Sequence, residues 1–283
     1  MSINEQPLVT VYIPTFNRLE LLQRAVESVC NQTYKNLEII VVDDCSTDGT
    51  QKYLVQLSKE DSRIRYFFKE KNSGACPSRN IAIEYSTGEY ITGLDDDDYF
   101  LKDRIQRFVE NKDKLENYEF LYSNYYIKNN EGLQDFRSDR FKPNEIKSKD
   151  LLSINYVNNQ IFTLTARLIK IGFNESLPAW QDLFTWYSFL KNNKKALMID
   201  EKSYVMDISH DFERISNKKI EKILKAYDIF SDNHQLNSFE RKILFCQLMP
   251  YELKYKKNYY VFLSLFNSFN IYSLLVFKNR FFK

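Results

Sequence analysis

Four aspartates, Asp95 to Asp98, stand side by side directly after the apolar run EYITGL at residues 89–94. Two unit charges about 4 Å apart repel each other by roughly 4 kcal/mol at an effective dielectric constant near 20. Such a run therefore takes up protons, spreads into solvent or binds a cation. Carboxylate oxygens suit Mg²⁺ or Mn²⁺, which complete their shells with water and phosphate oxygens. The alternative is a solvated acidic turn before a helix.

The acidic run lies in a segment where short apolar stretches alternate with helical patterns. Runs rich in β-branched and aromatic residues predict strands at 9–13, 38–42, 64–68 and 89–94. Such alternation is typical of a mainly parallel sheet flanked by helices, an α/β fold. Ligands bind beyond the carboxyl ends of parallel strands. That rule selects PTFN after the first strand, DDCS after the second and DDDD after the fourth.

The remaining chain divides in two by its pattern. Further strands are predicted at 120–127, 160–165 and 196–200, and no Gly/Ser-rich linker interrupts them. Residues 1–216 are therefore predicted to form one domain, and residues 217–283 a helical, basic and aromatic C-terminal extension. At the other end, Asn17 and Glu20 have the spacing of a capping box for the first helix.

Composition excludes several classes of protein. Forty basic against 38 acidic residues give a net charge of only +2, so no nucleic-acid partner is expected. The four cysteines have no CxxC spacing, which favours reduced thiols in the cytoplasm. No signal-peptide pattern precedes residue 17, and no apolar run reaches about 18 residues. The sequence thus predicts no leader and no membrane span.

Four motifs together resemble those of the family 2 glycosyltransferases, which adopt the GT-A fold. They are VYIPTFNR, VVDDCSTDGT, NSGACPSRNIAIEYSTGEYITGLDDDDYF and WQD. The resemblance covers residues 8–100 densely and 175–216 thinly. Each motif alone is weak, but their order and spacing make the set specific. The resemblance implies a GT-A type, Rossmann-like sheet and transfer of a sugar from a nucleotide carrier.

The resemblance implies that the first two loops bind the nucleotide. Pro14, Thr15 and Asn17 occupy the positions where the family lines the nucleotide pocket. Asp44 matches the acidic residue that accepts a hydrogen bond from the uracil ring. A carboxylate there favours a base that carries an N–H donor, so a uridine diphosphate (UDP) sugar is the expected donor. The alternative for the second motif is a turn with a helix cap.

Three further residues are expected on the diphosphate side of the donor. Asn72 and Arg79 fall in the family's next motif, and Arg79 has the alternative of an ion pair with the acidic run. Arg214 lies in MDISHDFERIS, residues 206–216, where some family members place an Arg beside the diphosphate. All three are therefore predicted donor contacts.

The family's DxD motif aligns with the acidic run. Asp95 and Asp96 are then expected to face the donor, and Asp97 to ligate Mn²⁺ or Mg²⁺ directly. A one-residue slip that pairs Asp96 with Asp98 stays open. His210 aligns with a further metal ligand of some family members, although a lone histidine is often structural.

Asp182, in the sequence LPAWQDLFTWYSFL, matches the catalytic carboxylate of the family. Glycosyl transfer needs a base that deprotonates the acceptor hydroxyl. Gln181 replaces the usual Glu of that motif. A single displacement inverts the anomeric carbon, so α-linked donors would give β-linked products. Trp180 is the predicted acceptor platform; the alternatives are a helix-capping Asp182 and a core Trp180.

The C-terminal residues 251–283 contain six basic residues and one acid, a local charge of +5, among many aromatic residues. Such segments suit a membrane interface, and the alternative is packing on the domain or on a second subunit. The resemblance then implies an acceptor linked to polyprenyl diphosphate, as in O-antigen or other polysaccharide assembly. The protein is expected at the inner face of the cytoplasmic membrane.

The resulting expectation is an inverting, metal-dependent transferase for a hexose or N-acetylhexosamine, with glucose or galactose first. Two other classes stay open at this point. A haloacid-dehalogenase-type phosphatase also uses carboxylates after a strand, but needs its nucleophilic Asp near an early strand. A non-catalytic nucleotide- or carbohydrate-binding module would bind the donor without turnover. The sequence does not indicate an oligomeric state.

Overall fold

The computed structural model describes residues 6–135, 143–157, 160–210, 212 and 220–248. Its strands are β1 (Val9–Thr15), β2 (Leu37–Asp43), β3 (Ile64–Phe68), β4 (Tyr90–Gly93), β5 (Tyr99–Phe100), β6 (Leu121–Asn129), β7 (Gly132–Asp135), β8 (Glu145–Lys147), β9 (Phe162–Leu164) and β10 (Lys195–Asp207). Its helices are α1 (Leu19–Cys30), α2 (Thr50–Glu60), α3 (Ala75–Glu84), α4 (Arg104–Glu110), α5 (Ser148–Ser153), α6 (Thr165–Ile171), α7 (Gln181–Phe189), α8 (Ile220–Asn233) and α9 (Ser238–Phe245).

One mixed sheet runs through the molecule in the order β3-β2-β1-β4-β9-β6-β10-β5. The first four strands of that order are parallel, β9 is antiparallel to both of its neighbours, and β6 and β10 are parallel. Every residue of β1, β2 and β4 is buried, because helices cover both faces of the sheet. The predicted mainly parallel α/β sheet is confirmed.

The strand order reverses between β1 and β4, which are neighbours although two strands and three helices separate β1 from β4 along the chain. Thr15 of β1 is level with Asp43 of β2, and Asp43 is level with Phe68 of β3. The three strands therefore end at one edge. Parallel α/β sheets bind ligands at such a reversal, beyond the carboxyl ends. The acidic run leaves β4 at the same edge.

Two apolar clusters sandwich the sheet. One packs α1 and α4 on one face, and the other packs α3, α5, α6 and α7 on the opposite face. Helices α8 and α9 add Phe230 and Leu244 to this second cluster. The Phe184 ring of α7 meets the Phe230 ring edge-on at 5.7 Å. The described part of the predicted extension thus packs against α7.

One local prediction extends too far and another is wrong. The strand expected at 160–165 is limited to Phe162–Leu164, because α6 begins at Thr165. The capping box is absent: α1 has Arg18 at its N-cap position and no side-chain cap there. Instead, the Leu19 N–H donates to Asp48 Oδ2 at 2.9 Å, a tertiary contact that replaces the local one.

Within the described ranges, no helix combines the length and the apolar character needed to span a bilayer.

Candidate active site

Three carboxylates of the acidic run converge beyond β4. Asp95, Asp97 and Asp98 each offer an oxygen that lies within 4.8 Å of the others, and Asp96 is not part of this group. Hard oxygen ligands in such proximity fit a small divalent cation such as Mn²⁺ or Mg²⁺. The grouping favours the register in which Asp95 and Asp97 form the DxD pair.

Asp96 turns instead toward protein donors. Thr15 Oγ1 donates to Asp96 Oδ2 at 2.8 Å, and Arg18 Nη1 lies 3.0 Å from Asp96 Oδ1 and 3.2 Å from Asp97 Oδ2. Burial raises the pKa of Asp96 to about 7, and outweighs the opposing attraction of Arg18. A guanidinium therefore supplies part of the counter-charge that the acidic run requires. Sequence reasoning missed Arg18, although it follows the carboxyl end of β1.

Asp98 ties the acidic run to the end of β10. It accepts hydrogen bonds from the Tyr204 hydroxyl at 2.5 Å and from the Asp207 N–H at 2.9 Å. Arg24 pairs with Asp207 and donates to the Asp97 carbonyl at 2.5 Å. These contacts fix the point where β10 ends, so the residues that follow β10 lie beside the carboxylates.

His210, three residues beyond β10, has its Nε2 3.4 Å from Asp97 Oδ2. Neither ring nitrogen has a hydrogen-bond partner among the residues that the structure describes, and the side chain is 9% exposed. An imidazole in that place fits the predicted role as a metal ligand. The predicted diphosphate contact Arg214 lies outside the described residues.

Asp44, the predicted uracil contact, is held by three donors. The backbone N–H groups of Ser73 and Gly74 donate to it at 2.9 and 2.7 Å, and Lys69 Nζ lies 2.5 Å from Oδ1. Gly74 has a φ of +95°, a conformation that side chains disfavour. Lys69 directly follows β3, so the rule of carboxyl ends would have found this residue, which the sequence analysis missed.

The other predicted donor residues lie around the same edge. Pro14 is buried in β1. Asn17 has a φ of +50° and joins the first loop to the second: its N–H donates to Ser46 Oγ and its Oδ1 accepts from the Thr47 N–H, both at 2.8 Å. Asn72 is exposed in the loop before α3. Asn17 therefore joins the loops that follow β1 and β2, and the nucleotide contacts of Pro14, Asn17 and Asn72 stay predictions.

Arg79 connects the acidic run to helix α7. Its Nη2 donates to Asp95 Oδ1 at 3.0 Å and its Nη1 to Gln181 Oε1 at 3.1 Å. The guanidinium carbon lies 5.2 Å from the centre of the Phe173 ring. The neighbouring Asn80 side chain pairs with the Phe173 backbone in both directions, at 2.8 and 2.9 Å. Helix α3 thus fixes α7 relative to the carboxylates.

Asp182 lies in the first turn of α7. Its Oδ1 is buried and accepts no hydrogen bond from any described residue. Burial raises the pKa of Asp182 to about 7, the positive charge of Arg79 opposes the rise, and the negative charge of Asp95 adds to it. A carboxylate with that pKa is suited to take a proton near neutral pH. No capping bond involves Oδ1.

Trp180 precedes Asp182 with a φ of +57°, at the position before α7. Its side chain is half-buried and packs against two apolar clusters, one of which contains Ala179 and Leu177. The structure therefore places Trp180 directly before α7, two residues from Asp182, as a packed residue with an accessible part. Its acceptor role stays a prediction.

The chain is similar in sequence to known proteins. The family model described as glycosyl transferase family 2 matches residues 10–177. WcaA of Escherichia coli K12, named for colanic acid biosynthesis, is 34% identical over 257 residues, which cover 90% of this chain and 91% of WcaA. WfgD of E. coli, named as a UDP-Glc:α-D-GlcNAc-diphosphoundecaprenol β-1,3-glucosyltransferase, is 30% identical over 232 residues, covering 80% and 86%.

Solved structures show the same fold. Residues 1–349 of Staphylococcus aureus TarS with UDP-GlcNAc align with a TM-score of 0.67 at 19% identity, covering 96% of this chain and 78% of that one. A Pyrobaculum calidifontis mannosyltransferase with GDP-Man and Mn²⁺ aligns with a TM-score of 0.63 at 16% identity, covering 98% and 80%. The predicted GT-A fold is confirmed, and the comparisons favour neither the phosphatase nor the non-catalytic module.

Proposed function

Because this chain belongs to glycosyl transferase family 2 and is a glycosyltransferase, we propose that it transfers a hexose or N-acetylhexosamine from a UDP-sugar to a glycan hydroxyl with inversion. Glucose and galactose are the first candidates for the sugar. Two relatives are named as β-1,3-glucosyltransferases, which supports glucose and a β-linkage.

One observation carries the proposal: Arg79 holds the acidic run and the base-carrying helix in a single unit. It bonds to Asp95 at 3.0 Å and to Gln181, next to Asp182, at 3.1 Å. The acidic run, which would face the departing diphosphate, and Asp182, which would accept the proton, are thus fixed relative to each other. Such positioning is a main source of catalytic rate.

The proposed reaction is a single displacement. Asp182 takes the proton of the acceptor hydroxyl while that oxygen forms a bond to the anomeric carbon. The bond between the anomeric carbon and the diphosphate oxygen breaks, and its electron pair leaves with UDP. Asp182 then returns the proton to solvent. The raised pKa of Asp182, about 7, supports this role because a carboxylate with that pKa is a stronger base than an ordinary one and is still ionised in about half of the molecules at neutral pH.

Asp97 and His210, with Asp95 beside them, would hold the divalent cation. Their fit is supported by the convergence of the carboxylate oxygens within 4.8 Å and by the imidazole of His210, which lies 3.4 Å from Asp97 and makes no hydrogen bond to the residues that the structure describes. When bound, a Mn²⁺ or Mg²⁺ ion offsets the negative charge of the leaving diphosphate. Asp44, Pro14, Thr15 and Asn17 bind the nucleoside in this proposal.

The acceptor is proposed to be a glycan on a polyprenyl-diphosphate carrier, in the assembly of a surface polysaccharide. Relatives named for undecaprenol-linked acceptors and for colanic or teichuronic acid support this class. The basic, aromatic residues 251–283, which lie outside the described residues, would bind the inner face of the membrane. Binding to anionic vesicles should weaken with salt and be lost on truncation after residue 250; binding unaffected by truncation would contradict it.

Calorimetric titration of UDP, with Mn²⁺ and then with chelator, tests the donor and metal assignments. We expect UDP binding that weakens at least about 10-fold on chelation, because the diphosphate then faces the carboxylates without a bridging cation. Asp97→Asn should remove this metal dependence, whereas Asp113→Asn, a change at an exposed aspartate, should preserve it. No UDP binding under either condition would overturn the donor, and binding indifferent to metal would overturn the cofactor.

A further inference from the structure

Gln160 is a buried polar residue that the proposed reaction does not use. It is only 5% exposed, and its Oε1 accepts no hydrogen bond from the residues that the structure describes. A buried amide oxygen without a donor is costly, and proteins rarely retain one unless a water or ligand supplies the donor. Asp182 Oδ1 is likewise a buried side-chain oxygen that accepts no hydrogen bond within the described ranges.

The position of Gln160 follows from strand pairing. β9 runs antiparallel to β4, with Phe162 opposite Thr92. Two residues earlier along the chain, Gln160 therefore lies beside the end of β4, next to the start of the acidic run. It stands on the edge of the sheet where β1, β2 and β3 also end.

Gly93 allows a close approach at that point. A Cβ atom added to Gly93 would lie 2.5 Å from Gln160 Oε1 and 2.4 Å from Cζ of Tyr12. The Gln160 amide oxygen and the Tyr12 ring therefore meet over the backbone at the end of β4. A side chain at position 93 would push one of them away, so the absence of a side chain keeps the amide in this place.

The Tyr12 ring lies near both the Gln160 amide and the proposed base, Asp182. Burial raises the pKa of the Tyr12 phenol, Arg79 opposes the rise, and the charges of Asp182 and Asp95 add to it. Tyr12 thus lies within electrostatic range of the base and of the acidic run. Its ring also meets the Phe173 ring at 6.4 Å, and Arg79 stacks on Phe173. Gln160 Oε1 and Asp182 Oδ1 are therefore two acceptors near Tyr12 that have no donor among the described residues.

We propose that Gln160 hydrogen-bonds a hydroxyl of the transferred sugar and takes part in selecting that sugar. This inference rests on the proposed function. A primary amide both donates and accepts, as a hydroxyl does, and it carries no charge that would suit a diphosphate. The diphosphate has Arg79 and the cation site nearby, and the acceptor hydroxyl has Asp182. The sugar hydroxyls remain as the polar groups without an assigned contact.

The proposed contact would discriminate between sugars. A site built to bond a hydroxyl rejects an analogue in which that group is absent or points elsewhere, because the buried protein group is then left unpaired. Glucose, galactose and their N-acetyl forms differ at one hydroxyl or substituent. Gln160 is thus a specificity-determining residue in this proposal. It should affect the affinity for the sugar part of the donor and leave the affinity for UDP unchanged.

The test compares the binding of UDP with that of UDP-glucose, UDP-galactose and UDP-N-acetylglucosamine by calorimetry with Mn²⁺. In Gln160→Leu, which keeps the side-chain size, we expect UDP affinity within about 2-fold of the original. The affinity for the tightest of the three UDP-sugars should fall roughly 10-fold, as for the loss of one buried hydrogen bond. Gln160→Asn, which keeps the amide, should show a smaller loss, and it carries the test if the leucine variant does not fold.

Thr165→Val is the matched control. Thr165 also has a buried oxygen without a partner in the described ranges, but its N–H bonds to Glu89 at the opposite end of β4. This variant should leave every affinity unchanged. Equal effects of the Gln160 variants on UDP and on UDP-sugars, or no effect on either, would overturn the inference. Failure of the unaltered protein to bind UDP would instead overturn the proposed function.

Discussion

Asp44, buried directly after β2, and Asp182, half-buried in the first turn of α7, are carboxylates whose surroundings differ sharply. Two backbone N–H groups and Lys69 hold Asp44, whereas Asp182 Oδ1 accepts no hydrogen bond from the described residues. A carboxylate fixed by donors is a preorganised recognition group. A buried carboxylate without them has a raised pKa and can exchange a proton. This difference matches the proposed roles, in which Asp44 binds the nucleoside and Asp182 takes the proton.

Replacing the reactive carboxylate should have the largest effect. Asp182→Asn removes the proton acceptor but keeps the size of the side chain, so the rate of sugar transfer should fall roughly 100-fold or more. The affinity for UDP, measured by calorimetry with Mn²⁺, should stay near normal. A parallel loss of UDP binding and turnover would show that Asp182 is structural, and would remove the contrast with Asp44.

The pH dependence of transfer sharpens the same contrast. Since the pKa of Asp182 is raised to about 7, the residue is protonated at lower pH and cannot accept the hydroxyl proton. At saturating substrate, the rate should therefore fall about 10-fold per pH unit below that value and level off above it. Gln181→Glu, which adds a negative charge beside Arg79, should move the midpoint upward. Burial also raises the pKa of Asp96, so the affinity for UDP should be measured at each pH to separate binding from transfer. A transfer rate that rises as the pH falls would contradict the role of Asp182 as the proton acceptor.

A change at the recognition carboxylate should alter binding alone. Asp44→Asn weakens the proposed contact with the uracil ring of UDP and leaves Lys69 without its charge partner, so the Kd for UDP should rise roughly 10-fold. The rate at saturating donor should change less than about 3-fold, because the reacting atoms are not involved. Glu70→Gln, at an exposed neighbouring residue, serves as the control. A lower saturated rate with unchanged Kd would reverse the assigned roles.

Arg18 gives the smallest expected effect. Because it neutralises Asp96 and Asp97, Arg18→Met should lower the Tm of the metal-free protein by roughly 2–4 °C, about 1 kcal/mol for a chain of this size. The same variant should bind Mn²⁺ several-fold more tightly, since a competing cation is gone. Titration of free Mn²⁺ and thermal unfolding measure the two effects. Weaker Mn²⁺ binding would show that Arg18 assists the ion instead of competing with it.

The sequence predicted the sheet and the acidic side of the site because both follow from local signals. Apolar runs mark the strands, and the rule of carboxyl ends selects Asp44 and the run at Asp95. The ion pair of Arg79 with the acidic run was among the alternatives, but Lys69 and Arg18 were missed. Both follow the carboxyl end of a strand, but which carboxylate such a long side chain reaches depends on tertiary distances that spacing does not encode. The same holds for Gln160, whose place depends on the long-range pairing of β9 with β4.

Tertiary contacts also explain the wrong capping box. Asn17 has the residue type of a cap, but its side chain accepts from Thr47 in the second loop, and Asp48 serves α1 instead. Local propensity was overridden where two loops had to be joined. Loops that form a binding pocket are a common place for such conflict, because their side chains bond to one another across long stretches of sequence.

The packing of α8 on α7 decides where the protein can be shortened. The ring centre of His234 lies 4.3 to 4.6 Å from the ring centres of Phe184, Tyr187 and Phe230. Burial lowers the pKa of His234 to about 3, so the imidazole is neutral and packs like an aromatic ring between α7 and α8. A protein that ends at residue 216, the predicted domain boundary, would lack α8 and would expose these aromatic side chains of α7, the helix that contains Asp182. A truncated protein that lacks only the basic tail should therefore keep the chain through Leu248, which packs in the same apolar cluster as Ala179.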